Sequence, residues 1–225
     1  MKILIFDSST LISFAMNGLY EELEKLKKIF PGKFIITEDI KKEVIDRPLS
    51  IKRFELEALQ IKKLLDNKIL EMPEAIDIKN NELISETRKV MDFANNCFKT
   101  NNKTIHLIDY GEASCLALAR LLNQRKIENA VVVDERTARM LGEKPQNLLK
   151  LMSEKLHTKV MPNSGNYNFF KGLRFIRSSE LIYVAYKKGL IDLKNGQVLD
   201  ALLWAMKFKG CAISGDEIKE IERIG

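Results

Sequence analysis

The sequence predicts an α/β fold with a central, mostly parallel sheet between layers of helices. Strand-like apolar segments alternate with helical ones along the 225 residues, which is the order typical of such a sheet. Two of the strand-like segments, residues 2–7 (KILIFD) and 130–134 (AVVVD), end in an acid. With 45% hydrophobic residues, the chain can bury a sizeable core. We therefore expect one domain, residues 1–225, with a three-layer α/β/α core.

The first fifty residues predict two strand–helix units. After the first strand, apolar spacing indicates a short helix and then an amphipathic one that Pro31-Gly32 stops. Residues 34–36 predict the second strand. Thr37 is the expected N-cap of a helix that carries Glu43 two turns in and ends before Pro48.

The middle of the chain predicts long helices with one short interruption. Residues 50–98 are helical in pattern, with a break at residues 69–73 that fits a third strand. A polar loop at residues 99–103 follows. The next helix begins at Asp109 and leads into the strand at residue 130.

The last third of the chain predicts mostly helices. Two helices follow the strand at residue 130, then a brief strand at residues 158–161. Residues 162–175 lack periodicity and are interpreted as a loop. Residues 176–225 predict a C-terminal helical extension of a core formed by residues 1–161.

Composition narrows the classes of function. The net charge of +6, from 37 Lys and Arg against 31 Asp and Glu, suits a polyanionic partner such as a nucleic acid. The apolar runs are too short to span a membrane and the N-terminus has no signal-peptide pattern, so we expect a cytoplasmic protein. Cys97, Cys115 and Cys211 are odd in number and far apart, which predicts buried thiols and no disulfide framework.

Four acids occupy positions suited to a metal site. Asp7 and Asp134 follow strands, and the carboxyl ends of parallel strands line the ligand edge of an open sheet. Glu43 lies in the helix after the second strand, and Glu112 lies in the first turn of the helix before the last core strand. Carboxylates are the ligands that Mg²⁺ and Mn²⁺ prefer, and these ions activate water against phosphodiesters. The set predicts a metal-dependent phosphodiester hydrolase.

Each acid also has a purely structural interpretation. Glu112 fits a variant capping box with the residue three before it, and Asp7 fits a helix cap or turn. Glu43 lies among lysines and fits a solvated face, whereas Asp134 with Glu135 fits a cap and an acidic first turn. The joint pattern is what favours a site.

A resemblance to a known family rests on four segments: residues 5–12 (IFDSSTLI), 36–44 (ITEDIKKEV), 109–119 (DYGEASCLALA) and 132–139 (VVDERTAR). On these residues the chain resembles the PIN-domain ribonucleases, particularly the toxin-like archaeal and bacterial branch. The resemblance spans most of the chain in the family's order. The C-terminal helices are similar to the helical end of that branch.

The resemblance implies a metal-dependent endoribonuclease that cleaves single-stranded RNA. The metal-binding and catalytic acids carry over as Asp7, Glu43, Glu112 and Asp134, with Ser9 in support. The cofactor would be Mg²⁺ or Mn²⁺. A toxin-like member would have a small antitoxin protein as its partner and would form a homodimer.

Three features depart from the family pattern. Glu135, a second supporting residue, stands where many relatives have another Asp, which leaves a second metal position open. The helical stretch at residues 77–98 and the loop at residues 163–175 look longer than in compact relatives. These additions are candidates for setting the substrate or partner.

Four basic residues are candidates for RNA binding. Arg136 and Arg139 lie one helical turn apart and fit either phosphate binding or ion pairs with neighbouring acids. In residues 166–175 (NYNFFKGLRF) aromatic residues alternate with Lys171 and Arg174, which fits base stacking or a hydrophobic clasp on the core. An apolar stripe beside Trp204 fits core or a dimer interface.

Two other functions compete with the nuclease. Asp7 after a first strand is also typical of aspartyl-phosphate phosphatases, but Ser9 stands where their general acid lies. A non-catalytic RNA-binding or assembly protein with a PIN-like fold is the other alternative, because acids can persist as helix caps.

Overall fold

The computed structural model of the chain describes residues 1–100, 103–193 and 196–224. It confirms the α/β class, with a central parallel sheet flanked by helices on both faces. Asn101 and Asn102, which belong to the predicted polar loop, lie outside the described residues. In the described part, no helix is both long and apolar enough to cross a membrane.

Eight strands are present in the described ranges. They are β1 (Lys2–Phe6), β2 (Gly32–Ile35), β3 (Leu70–Glu71), β4 (Phe98–Thr100), β5 (Lys103–Thr104), β6 (Glu128–Val132), β7 (Met161–Pro162) and β8 (Phe175–Ile176). The central sheet has the order β3-β2-β1-β6-β8 and every neighbouring pair is parallel. The strands β5, β4 and β7 form a small antiparallel sheet.

The helices fill the connections between the strands. They are α1 (Ser8–Met16), α2 (Tyr20–Ile29), α3 (Glu38–Lys41), α4 (Glu55–Asp66), α5 (Asn80–Asn95), α6 (Tyr110–Gln124), α7 (Arg136–Glu143), α8 (Pro145–Leu156), α9 (Ser178–Lys187), α10 (Val198–Phe208) and α11 (Gly215–Ile224). A π-helical turn, Lys42–Asp46, follows α3. Short 3₁₀ helices span Pro48–Ser50, Pro73–Ile76 and Ser164–Phe170.

The direction in which successive strands are added to the sheet reverses at β1. From β1 the chain adds β2 and β3 on one side, then crosses back to add β6 and β8 on the other side. Right-handed crossovers in opposite directions place their helices on opposite faces, so α2 and α4 lie on one face and α5 and α6 on the other. The carboxyl ends of β1 and β6 therefore form a topological switch point, where open sheets bind ligands.

Local signals explain most of these elements. Thr37 caps α3 as predicted, with its hydroxyl oxygen 3.3 Å from the Ile40 N–H. Gly32 begins β2 in register with Lys2, where an added Cβ would lie 2.1 Å from the Lys2 carbonyl oxygen. A side chain is therefore excluded at this point, where β1 and β2 approach each other. Cys97, Cys115 and Cys211 are buried free thiols, as expected.

Two loop predictions were wrong. The polar loop predicted at residues 99–103 includes parts of β4 and β5. The strand predicted at residues 158–161 is present only at Met161, because β7 spans Met161–Pro162, where it pairs with β4 in the same small sheet. The segment at residues 162–175 holds a 3₁₀ helix and the start of β8, the fifth central strand. Because β8 has two residues and forms by pairing with β6, it carries no periodic signal of its own.

Candidate active site

Asp7 and Asp134 lie beside each other at the switch point. Asp7 directly follows β1, and its backbone N–H donates to the Val132 carbonyl oxygen at 2.9 Å. Asp134 follows β6 by two residues, and the register pairs Phe6 with Val132. The two acids thus come from neighbouring parallel strands.

The Asp7 carboxylate is buried and half satisfied. Its side chain is the N-cap of α1, and Oδ2 accepts the Ser9 backbone N–H at 3.0 Å and the Ser9 hydroxyl at 2.6 Å. Its other oxygen, Oδ1, is buried and has no hydrogen-bond partner in the described part of the chain. Burial raises the pKa of Asp7, with a further contribution from the charge of Asp134, while the bonds from Ser9 oppose the rise.

The Asp134 carboxylate is enclosed by the C-terminal helices. Its residue is fully buried, and Oδ1 accepts the backbone N–H of Ser178, the first residue of α9, at 2.8 Å. The backbone carbonyl of Asp134 accepts the Ala212 N–H at 3.0 Å. Oδ2 is buried without a partner among the residues described. The cap that the sequence allowed for Asp134 is supplied by Glu135 instead.

Ser9 joins the two aspartates. Its hydroxyl donates to Asp7 Oδ2 and accepts the backbone N–H of Asp134 at 3.1 Å. A single side chain therefore fixes the spacing between two strand ends. Because this hydroxyl is committed to both acids, it does not occupy the role of a general acid, which disfavours the phosphatase alternative.

Glu43 reaches the site from the π-helical turn. The prediction of a regular helix through this residue was wrong: α3 ends at Lys41, and the Arg47 N–H bonds the Lys42 carbonyl five residues back. Such turns are frequent at functional sites. Glu43 is half-buried, and a Cβ added to Gly111 would lie 2.5 Å from its Oε1. The absence of a side chain at residue 111 makes room for this carboxylate.

Glu112 forms the predicted capping box and also lies in the acid cluster. Its Oε2 accepts the backbone N–H of Asp109 at 3.0 Å, which completes a capping box at the start of α6. Burial raises the pKa of Glu112 to about 8, and the charges of Asp7 and Glu135 add to the rise. A helix cap and membership of the acid cluster therefore coexist in one side chain.

The charges of the acids act on Cys115 and Glu43. Burial raises the pKa of the Cys115 thiol, and the charges of Asp7, Glu43 and Glu112 raise it further. Burial also raises the pKa of Glu43, with a contribution from Asp7, against a Ser8 hydrogen bond and the charge of Arg47. The contacts place the four acids at one edge: Ser9 links Asp7 to Asp134, and Glu43 lies against Gly111, the residue before Glu112.

The donor set fits a hard divalent cation. Four carboxylates and no thiol or imidazole form the set, and Mg²⁺ and Mn²⁺ prefer oxygen ligands. The unpartnered oxygens of Asp7 and Asp134 are free to accept a cation. Within the described ranges, no three His, Cys, Asp or Glu side chains are already arranged as a ligand group.

Glu135 and the two arginines after it lie on α7 or at its start. The Glu135 carboxylate caps α7 by accepting the Thr137 N–H and, at 3.2 Å, the Ala138 N–H. Arg139 pairs with Glu143 at 3.7 Å, which favours the ion-pair interpretation for this residue. Arg136 is exposed and lines a cleft beside Arg139.

The aromatic segment at residues 166–175 is a hydrophobic clasp. Phe169 stacks on Phe93 with ring centroids 4.0 Å apart, and the Arg120 guanidinium lies 3.5 Å from the centre of the Phe169 ring. Phe170 is fully buried. These rings are therefore occupied inside the molecule, and they are not free to stack on bases.

Arg174 lies at the opposite edge of the sheet from the acids, and Lys171 stands three residues before it in the sequence. Both are exposed, and Arg174 pairs with Glu128 at 3.8 Å. Glu128 is the first residue of β6, so this pair marks the amino edge of the sheet. The acids lie at the carboxyl edge, and the structure does not bring Arg174 to them.

Sequence reasoning missed three positions. Ser178 and Ala212 enclose Asp134 through backbone N–H groups, which no side-chain motif reveals. Gly111 stands directly before Glu112 in the sequence, and a glycine at the first turn of a helix was an available signal of close approach.

No family model, no curated protein and no solved structure matches the chain. The resemblance to PIN-domain ribonucleases therefore stays a prediction that rests on four sequence segments. Asp7, Glu43, Glu112 and Asp134, at the carboxyl ends of the strands, form what we call the acidic edge. A functional proposal rests mainly on the geometry of this acidic edge.

Proposed function

We propose that the chain is a metal-dependent endoribonuclease that cleaves single-stranded RNA, with Asp7, Glu43, Glu112 and Asp134 as ligands of Mg²⁺ or Mn²⁺. One observation carries the proposal: Asp7 Oδ1 and Asp134 Oδ2 are buried acceptors without partners in the described chain, on neighbouring strands at the switch point. A buried anionic oxygen is costly unless a cation or donor neutralises it. A divalent cation at this edge removes that cost.

The four acids are expected to play different roles in cation binding. Ser9 and Ser178 fix one oxygen each of Asp7 and Asp134, which leaves the free oxygens in set positions. Burial raises the pKa of Glu112 to about 8, so this residue releases a proton when a cation binds at neutral pH, and burial also raises the pKa of Glu43. When bound, the cation supplies charge that neutralises a phosphodiester and acidifies water. Arg136, exposed next to Glu135, is placed to contact a backbone phosphate.

The substrate class follows from the charge of the chain and from the family resemblance. The net charge of +6 favours a polyanion, and the PIN-like segments favour single-stranded RNA within that class. The proposed site of action is the cytoplasm. The reaction needs no protein nucleophile, because water is the attacking group.

The experiment is cleavage of end-labelled single-stranded RNA by the purified chain with Mg²⁺ or Mn²⁺, beside an EDTA control. The variants Asp7→Asn and Asp134→Asn should lose cleavage by about a hundredfold or more. The matched control is Asp66→Asn, an exposed acid at the end of α4, which should cleave like wild type. Equal cutting by wild type and both site variants would assign the activity to a contaminant and refute the proposal.

A non-catalytic RNA-binding or assembly protein is the second candidate. It is favoured by the two acids that already serve structure, Glu112 in its capping box and Asp134 on the Ser178 N–H. RNA binding without cleavage, together with no Mg²⁺ or Mn²⁺ binding by calorimetry, would select this function over the nuclease.

A toxin role is the physiological extension of the nuclease proposal. A small antitoxin protein would cover the acidic edge, and the chain would form a homodimer. Expression of the wild type should then arrest growth, whereas Asp7→Asn should not. Harmless expression of an active enzyme, with no small protein co-purifying, would remove the toxin role and leave the nuclease.

A further inference from the structure

The end of α10 carries an aromatic pair, exposed Phe208 and partly buried Trp204, flanked by lysines. Phe208 is 75% exposed, more than any other large apolar side chain in the described ranges. Its ring stacks on Trp204, with centroids 5.6 Å apart and an interplanar angle of 29°. The Lys207 ammonium lies 4.5 Å from the centre of the Trp204 ring, and Lys209 is exposed. The pair therefore offers one free aromatic face beside two cations.

Phe208 lies outside the core, whereas Trp204 is partly buried against it. The buried side of α10 is formed by other residues, namely Val198, Leu199, Leu202, Leu203 and Met206. Trp204 meets the start of α11 at its edge, where a Cβ added to Gly215 would lie 3.6 Å away. Neither Lys207 nor Lys209 forms an ion pair with a described residue. The outer ring and both charges remain available to a ligand.

Hydrogen bonds hold the segment that follows Phe208 against α1 and Asp134. Ser13 of α1 donates its hydroxyl to the Lys209 carbonyl at 3.1 Å. Ala212, four residues after Phe208, donates its N–H to the Asp134 carbonyl at 3.0 Å. Four residues span at most about 14 Å. One RNA strand is therefore long enough to lie on the aromatic pair and reach the acids.

We propose that Trp204, Lys207, Phe208 and Lys209 form a stacking platform that holds unpaired bases of single-stranded RNA beside the acidic edge. The inference rests on the proposed function and adds the surface that positions its substrate. Aromatic faces stack on any base, and flanking cations neutralise the phosphates that the four acids would repel. Binding at the platform is expected to tolerate changes of RNA sequence.

The charges favour RNA over a second copy of the chain on this surface. In a two-fold symmetric contact the same patch meets itself, which would bring the lysines of both copies together. Like charges in contact oppose such an interface. A phosphate backbone has the opposite charge and complements both lysines.

The test uses Trp204, which is the single tryptophan of the chain and so reports on the platform directly. The Asp7→Asn protein, which is expected not to cleave, is titrated with a uridine 12-mer and with inorganic polyphosphate. We expect the RNA to quench Trp204 emission and the polyphosphate to leave it unchanged. Phe208→Ala in the same background should weaken RNA binding at least about fivefold. Leu56→Ala, exposed on α4, is the matched control and should bind like the parent.

Three results would overturn the platform: quenching by polyphosphate equal to that by RNA, unchanged binding by Phe208→Ala, or conversion of a dimer to a monomer by Phe208→Ala in sedimentation. Failure of the nuclease gives a different pattern. Quenching by RNA with no cleavage by wild type keeps the platform and removes the enzyme, whereas cleavage without quenching does the reverse.

Discussion

The two aspartates and the two glutamates of the acidic edge are held in contrasting ways. Asp7 and Asp134 follow strands and are almost completely buried, and backbone N–H groups fix one oxygen of each. Glu43 and Glu112 stand on helical turns, are half-buried and have longer side chains. The strands thus supply two fixed aspartates, and the helical turns supply two longer side chains, of which Glu112 is itself held by the Asp109 N–H.

The aspartates and the glutamates are therefore expected to affect stability and function differently. The aspartates carry the unpartnered oxygens, so their charge weighs against the fold in the absence of a cation. Raised pKa values occur in both groups, at Asp7 as well as at Glu43 and Glu112, so the contrast rests on the unpartnered oxygens. Variants in the two groups should therefore behave differently.

The largest expected effect belongs to Asp7→Asn. The pKa of Asp7 is higher in the folded chain than its ordinary value of 3.8, so its contribution to stability is complete below that pH and is lost as the pH rises through the folded-state pKa. At neutral pH in EDTA, the variant should gain about 2 kcal/mol, or about 4–8 °C in Tm, while cleavage is lost.

Thermal unfolding of wild type and Asp7→Asn, with and without Mn²⁺, measures how the aspartate affects stability in the two conditions. Wild type should gain about 2.7 kcal/mol at a cation concentration of about 100 Kd, and Asp7→Asn should gain much less. A variant less stable than wild type in EDTA would show that the aspartate is needed for folding and would remove the contrast with the glutamates.

Gly111→Ala should displace the Glu43 carboxylate without destabilising the fold. The new Cβ would lie 2.5 Å from Glu43 Oε1 and would push that carboxylate out of the cluster. Alanine is the better helix former by about 1 kcal/mol, so stability should hold or rise. Cleavage should fall about tenfold or more. The control is Gly165→Ala, whose Cβ would have nothing closer than 3.8 Å; equal activity of both variants would remove Glu43 from the site.

Glu112 should give the chain a pH dependence in cation-free buffer. Its pKa of about 8 exceeds the ordinary value of 4.5, so its stabilising contribution is complete below about pH 4.5 and is lost as the pH rises through about 8. The free energy of unfolding by urea should fall across that window in wild type. Glu112→Gln should flatten the fall, and an unchanged slope would assign the pH dependence to other acids.

Arg174→Ala should have the smallest effect. The residue lies at the amino edge and makes one exposed ion pair with Glu128, worth about 1 kcal/mol or less. RNA cleavage should stay within about twofold of wild type, while Arg136→Ala at the acidic edge should weaken RNA binding. A larger loss for Arg174→Ala than for Arg136→Ala would place the RNA on the opposite edge of the sheet.

Local patterns in the sequence determined the fold class and the first half of the site. Asp7 and Asp134 were predictable because each ends an apolar strand pattern, and Thr37 was predictable because a cap bonds residues close in sequence. Glu112 was predictable for the same reason, since its capping box spans three residues. In these cases the interactions that fix the residue's position involve only neighbours within a few positions in the sequence.

The tertiary structure alone decided how the acids are enclosed. Ser178 reaches Asp134 across 44 positions and Ala212 across 78, and both act through backbone groups that every residue has. The strand β8 exists through pairing with β6, and the space for Glu43 depends on Gly111, which lies on a different element. These features arise from contacts between distant segments, and a local sequence pattern carries no record of such contacts.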